Sequence, residues 1–193
     1  DLNLFGRGIQ ATAIYRNNDN RHNGQVYVRI PYINGSKWGA SFHATHWASI
    51  EPLYFGDETV FYEYDNTSFG TTLIRELGYN HWIEGGVNYF VESYSKDSRH
   101  EGQVTSGPDE ANMPKLLFKL QHSINKIDYH YFLQDGWVLS QNVQAIYDLS
   151  DFNEPGFYIY WLDLKNFKIL DAAKKSNLAS RFRFGLAVNR DSP

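Results

Sequence analysis

Apolar and polar residues alternate along much of this chain with a period of two. Between Trp82 and Glu92, Ile83, Gly85, Val87, Tyr89 and Val91 share one face, and Glu84, Gly86, Asn88, Phe90 and Glu92 share the other, as strand geometry requires. Trp137, Leu139, Val143, Ala145 and Tyr147 oppose Ser140, Asn142 and Gln144 in the same way. Near the end, Phe182, Phe184 and Leu186 oppose Arg181 and Arg183. A helix would place apolar residues three and four apart, and only Leu170–Asn177 offers a helical turn. The pattern predicts strands at 9–16, 25–32, 37–49, 58–77, 80–94, 114–127, 136–148, 157–169 and 178–188. The 58–77 segment is read as one strand, because Asp65-Asn66-Thr67 carries no Gly or Pro on which to turn.

The predicted connections sort into two classes. The first, third, fifth and seventh (Asn17–Gly24, Ile50–Asp57, Ser95–Met113, Leu149–Gly156) are long. The second, fourth, sixth and eighth (Ile33–Ser36, Gly78–Tyr79, Asp128–Asp135, Leu170–Asn177) are mostly tighter. Long loops on one side and short turns on the other are the habit of an outer-membrane barrel. The predicted strands also exceed the ~5–6 residues usual in soluble sheets and reach the ~9–11 a tilted membrane strand needs. The fold class expected is all-β, an antiparallel up-and-down transmembrane β-barrel, with residues 1–193 in a single barrel domain.

Composition narrows this further. Aromatic residues make up 17% of the chain, and many (Tyr32, Trp38, Trp47, Tyr54, Phe55, Tyr79, Trp82, Tyr94, Trp137) stand near strand ends, where interfacial girdles fall. Strand propensity alone also favours aromatics. No apolar run reaches the ~18 residues of a membrane helix. Mean hydropathy of −0.51 does not separate a barrel from a soluble protein, because barrel strands alternate. Eighteen Lys+Arg against 22 Asp+Glu leave a net charge of −4, and no basic stripe marks a nucleic-acid binder. The absence of cysteine removes disulfides, thiolate metal sites and a cysteine nucleophile. The first residues read as mature sequence, with any leader already removed.

Two motifs then carry a family resemblance. Asn3-Leu4-Phe5-Gly6-Arg7-Gly8 precedes an alternating strand from Ile9, through Ala11 and Ala13. A polar hairpin and a second strand ending Pro31-Tyr32 follow, then Asn34-Gly35-Ser36-Lys37-Trp38. Later, Asn125-Lys126-Ile127-Asp128 leads to Tyr131-Phe132 and Gly136, with Leu133 where the pattern usually has proline. This order resembles the barrel of the bacterial surface antigen family, the outer-membrane assembly factors of the BamA and TamA type. The resemblance implies a sixteen-stranded barrel, of which residues 1–193 form the N-terminal portion, about nine strands. It also implies a bacterial outer-membrane location and contact with outer-membrane lipid. Client outer-membrane proteins and periplasmic or lipoprotein assembly factors are the implied partners, with no cofactor and no nucleic acid. The family's Arg-Gly-Phe/Tyr lid motif and its POTRA modules are absent from this sequence.

Enzymatic readings find little support. His43 and His46 are three apart, hence on opposite faces of a strand, and cannot jointly hold a metal. Glu84 and Glu92 share a face but stand roughly 26 Å apart at ~3.3 Å per residue, too far for a glycosidase pair. No Gly-x-Ser-x-Gly elbow is present, and Gly6-Arg7-Gly8 lacks the rest of a phosphate loop. Asp109 and Glu110 read as solvated loop charges. The function expected is non-catalytic assembly, insertion or translocation of outer-membrane proteins. In that reading the glycine-flanked strand bearing Ile9, Ala11 and Ala13 is a weak seam that can open to an incoming strand. The alternatives are a barrel anchor or exporter for a patatin-like or two-partner secretion protein, or a soluble β-sandwich that binds carbohydrate.

Overall fold

The computed structural model describes residues 2–4, 8–18, 21–55, 58–97, 108–130, 133–150, 156–171 and 176–189. Among them every regular element is a strand: β1 (Leu2–Leu4), β2 (Ile9–Asn18), β3 (Arg21–Ile30), β4 (Trp38–Phe55), β5 (Glu58–Gly78), β6 (His81–Lys96), β7 (Glu110–His130), β8 (Leu133–Asp148), β9 (Phe157–Asp171) and β10 (Ser176–Asn189). They form one sheet in the order β1 to β10, each antiparallel to its chain neighbours. This single up-and-down sheet excludes the sandwich alternative, which needs two sheets packed face to face.

The nine predicted strands correspond to β2–β10, and the long 58–77 segment is indeed one strand of 21 residues. Three expectations are corrected. First, the strand from Ile9 is the second, not the first: Leu2–Leu4 pairs with Ile9–Ala11. Gly8 leads into β2 at φ +72°, a conformation that costs glycine little and other residues more. Second, Leu170 and Asp171 finish β9 while Ser176 and Asn177 open β10, so these ends of the supposed helical turn are strand; residues 172–175 lie outside the described residues. Third, two of the four long loops are mostly strand. Only residues 19–20 separate β2 from β3, and only 56–57 separate β4 from β5. Ladder hydrogen bonds satisfied backbone groups that the sequence pattern had left to loops.

Register settles the faces. One row across the sheet runs Arg29, Ser41, Thr72, Gly86, Lys119, Gln144. The neighbouring row runs Val28, Phe42, Thr71, Val87, Phe118, Ala145. On the first face Ser41, Ser68, Ser123, Asn142 and Asp163 are buried. On the second, Phe42, Phe69, Leu120, Val143 and Phe182 are about half exposed or more. The sheet therefore curls toward its polar side. Such an inverted wall, polar within and apolar without, suits hydrocarbon outside and water inside. Placing each large outer side chain in lipid is favourable by about 1.5–3 kcal/mol.

The apolar band does not use the whole length of every strand. On β5 it spans Leu73 to Phe69, then gives way outward to Thr67, Asp65 and Glu63 on the same face. There His46 Nδ1 lies 2.9 Å from Thr67 Oγ1. Strands β4–β7 thus continue past the band on the long-loop side. Their inner face there carries Phe55, Tyr62, Tyr64 and Tyr94, with Tyr64 and Tyr94 ring centroids 4.8 Å apart. Tyr62 is 1% exposed and donates to the Pro108 carbonyl at 2.7 Å, which holds Pro108 against this cluster.

Candidate functional site: the β2 edge and the polar inner wall

Strand β2 is built to make little side-chain contact. Its outer face offers Ile9, Ala11, Ala13 and Tyr15, of which the last three meet Val28, Val26 and Gly24 of β3. Small side chains leave cross-strand pairs with little to bury. Asn3, in β1, stands opposite Gln10; Gly6 lies outside the described residues. Among those residues β1 is the only strand on the far edge of β2, and its pairing stops at Ala11.

The predicted motif residues gather along one rim, the side of the even-numbered turns. A Cβ on Gly8 would sit 3.3 Å from Pro31 Cγ, so the opening motif and the Pro31-Tyr32 turn meet. That turn closes through Ile33 N donating to the Trp38 carbonyl at 2.7 Å. Trp38 in turn lies under the Arg75 guanidinium, 4.7 Å from its ring centroid, a cation–π contact at the edge of the apolar band. The later motif lies at the β7–β8 end of the same rim: Asp128 pairs with Asp135 and Ile127 with Gly136. Gly136 has φ +116°, and a Cβ there would run into the Lys126 carbonyl oxygen. Only glycine fits both constraints. Tyr131 and Phe132 fall outside the described residues.

The inner wall is a network of polar cross-strand pairs. Glu84 and Glu92 share the inner face, and each is met by a lysine of β7: Lys119 Nζ donates to Glu84 at 3.2 Å, and Lys115 pairs with Glu92. Asp163 of β9 accepts from Arg181 and from Arg183 of β10. Thr45 and Ser68 hydroxyls lie 2.6 Å apart. His43 and His46 occupy opposite faces, opposite Gly70 and Thr67. Beyond the band, Tyr64 donates to Glu92 at 3.1 Å. Burial, opposed by the Asn66 hydrogen bond and helped by the Glu92 charge, pushes the Tyr64 phenol up to about 12. Burial, with the charges of Glu92 and Glu51, raises Tyr94 as well. Both phenols stay neutral, and Tyr64 is thereby kept as a donor to Glu92. Asp109 is not merely solvated: Lys96 Nζ donates to it at 2.8 Å, while Glu110 opens β7 opposite Ser95.

Lys115 and Lys119 were the functional residues that sequence reasoning passed over. Their even spacing puts them on one face of a strand, but only the β6–β7 register brings them to Glu84 and Glu92. The carboxylates are thereby held as separate ion pairs, not as an acid–base couple. Among the described residues no three His, Asp or Glu converge as a metal site.

A continuous antiparallel wall, polar inside and apolar outside, with strands long enough to cross hydrocarbon, defines the class of outer-membrane β-barrels. Within that class, residues 3–192 match the sequence profile of the Omp85 superfamily domain, and the chain belongs to that superfamily. This agrees with the resemblance to surface antigen proteins of the BamA and TamA type. No curated protein matches the chain.

Proposed function

We propose that this chain is barrel wall of a bacterial outer-membrane protein that assembles, inserts or translocates other outer-membrane proteins, without catalysing covalent chemistry. The observation that carries this reading is the superfamily match across an inside-out meander. Its partners are outer-membrane lipid, client barrel proteins, and periplasmic or lipoprotein assembly factors. The physical work is done at the β2 edge. Ala11 and Ala13 give that edge little packing, and in the sequence Gly6 and Gly8 fall between the short β1 and β2. Parting there exposes backbone N–H and C=O groups, which an incoming strand satisfies by β-augmentation.

The test is reconstitution of the full-length protein in liposomes, followed by the folding rate of a model barrel client read by heat-modifiable mobility. Faster client folding than in empty liposomes is expected. An unchanged rate with a correctly folded barrel would overturn assembly and favour an anchor or exporter. A cysteine pair joining Thr12→Cys, on β2, to the closing strand of the full-length barrel should abolish the acceleration when oxidised and restore it when reduced. Undiminished activity with the crosslink closed would remove the β2 edge as the place of opening.

A further inference from the structure

One cluster of ligating side chains belongs neither to the β2 edge nor to the polar inner wall. His81 opens β6 and His122 lies on β7. The register sets Ile124 opposite His81 and Ile83 opposite His122, so the two imidazoles are diagonal neighbours on the outer face. Their Nε2 atoms are 2.9 Å apart, with ring planes at 61° and centroids 5.1 Å apart. As it stands this is one N–H···N hydrogen bond: one ring carries its proton on Nε2 and the other presents a lone pair.

The same spacing has a second chemical meaning. Two imidazole nitrogens each about 2.1 Å from one metal ion, at a right angle, lie about 3.0 Å apart; a tetrahedral angle would open them to about 3.4 Å. The observed separation is the bite of a cis bis-imidazole chelate with tetragonal preference. We propose that His81 and His122 form a binding site for a divalent transition-metal ion, Cu2+ foremost, at the short-turn rim of the outer wall. Imidazole suits Cu2+ and Ni2+, and among divalent ions of the first row Cu2+ binds such donors most tightly.

The surroundings favour this. Both histidines are half-buried, leaving an ion an approach from outside the barrel. Both stand on strands whose ladder is continued past His81 by Asn125 N donating to the Asn80 carbonyl at 2.8 Å, and rigid elements hold ligands better than loops do. Among the described residues no third His, Asp or Glu joins them, so water completes the coordination. On binding, the ring that carried its proton on Nε2 moves it to Nδ1, and both Nε2 lone pairs turn to the ion. No electron is transferred. The site bridges β6 to β7, away from the β2 edge, and is independent of the assembly reading.

The probe is Cu2+ added to the full-length protein in detergent micelles, with electron spin-echo modulation counting the imidazoles on the ion. One equivalent should bind with two equatorial imidazoles. His81→Gln and His122→Gln should each leave one imidazole and weaken binding at least about tenfold, since losing even an outer partner of a metal ligand costs about 10- to 100-fold. His46→Gln, on the same face but far along the sheet, should leave the signal unchanged. A single-imidazole signal in the unaltered protein would overturn the proposal whether or not the variants fold. Equal affinity in the unaltered protein and both histidine variants would overturn it as well.

Discussion

Two neighbouring-strand pairs of the same sheet, β6–β7 and β2–β3, show how differently one backbone pattern can be furnished. The β6–β7 ladder runs from His81 and Ile124 to Ser95 and Glu110. Outside, Val87 and Tyr89 face Phe118 and Leu116; inside, Glu84 and Glu92 hold lysines. The β2–β3 ladder runs from Gln10 and Arg29 to Asn18 and Arg21. There the outer face is largely alanine, glycine and valine, and the tip contact is an exposed Tyr15 hydroxyl 3.2 Å from His22 Nδ1. The β6–β7 ladder is also the longer of the two, so it holds more backbone hydrogen bonds. Ladder length, side-chain packing and ion pairing all differ in the same direction, and that contrast underlies the proposal that β2 is the strand that parts.

The largest expected effect comes from spoiling the packed pair. Leu120→Arg puts a charge on the outer face within the band and should cost about 2–4 kcal/mol near the bilayer midplane. Urea-unfolding midpoints of the full-length protein in vesicles measure it; an unshifted midpoint would mean that this face does not meet lipid. Next, Lys115→Met strips Glu92 of its cation. A part-buried carboxylate left short of a partner should cost about 1–3 kcal/mol, and adding Glu92→Gln should recover most of the loss. If the double variant is no better than the single one, the pair is incidental.

Smaller changes test the weak strand. Ala11→Val and Ala13→Val raise strand propensity and cross-strand contact, on a scale spanning about 1 kcal/mol. Amide exchange of Gln10–Arg16 should be faster than that of Val87–Glu92 in the unaltered protein, and slower in the double valine variant. Equal protection of the two segments at the outset would erase the contrast.

The smallest effect is a matter of pH at the β6–β7 tip. The hydrogen bond from Lys96, then its charge, holds the Asp109 carboxyl below its usual range, and the same bond raises Lys96. A lowered carboxyl contributes stability above its unfolded value and loses it as pH falls through the folded one. A raised ammonium contributes below its unfolded value and loses it as pH rises through the folded one. Asp109 is solvent-exposed and Lys96 half-buried, and the release of the pair should be local. The Lys96 amide, which donates to the Asp109 carbonyl at 3.0 Å, should lose protection in acid, while Asp109→Asn should show no such pH step.

What the sequence by itself determined was periodicity and its consequences. The alternation from Ile83 to Val91 assigned inner and outer faces, because a strand's side-chain period is fixed at two. Asp65-Asn66-Thr67 lacked a turn residue, and β5 runs straight through it. Gly8, Pro31, Trp38 and Gly136 marked the turn rim, since positive φ and tight approach leave few residue choices. Tertiary structure alone decided what depends on register between distant segments: β1 bordering β2, the loops zipped into strand tips, Lys115 and Lys119 meeting Glu92 and Glu84, and His81 meeting His122. A slip of one residue would send every one of those side chains to the other face, and nothing local to either strand specifies which partner residue will stand opposite.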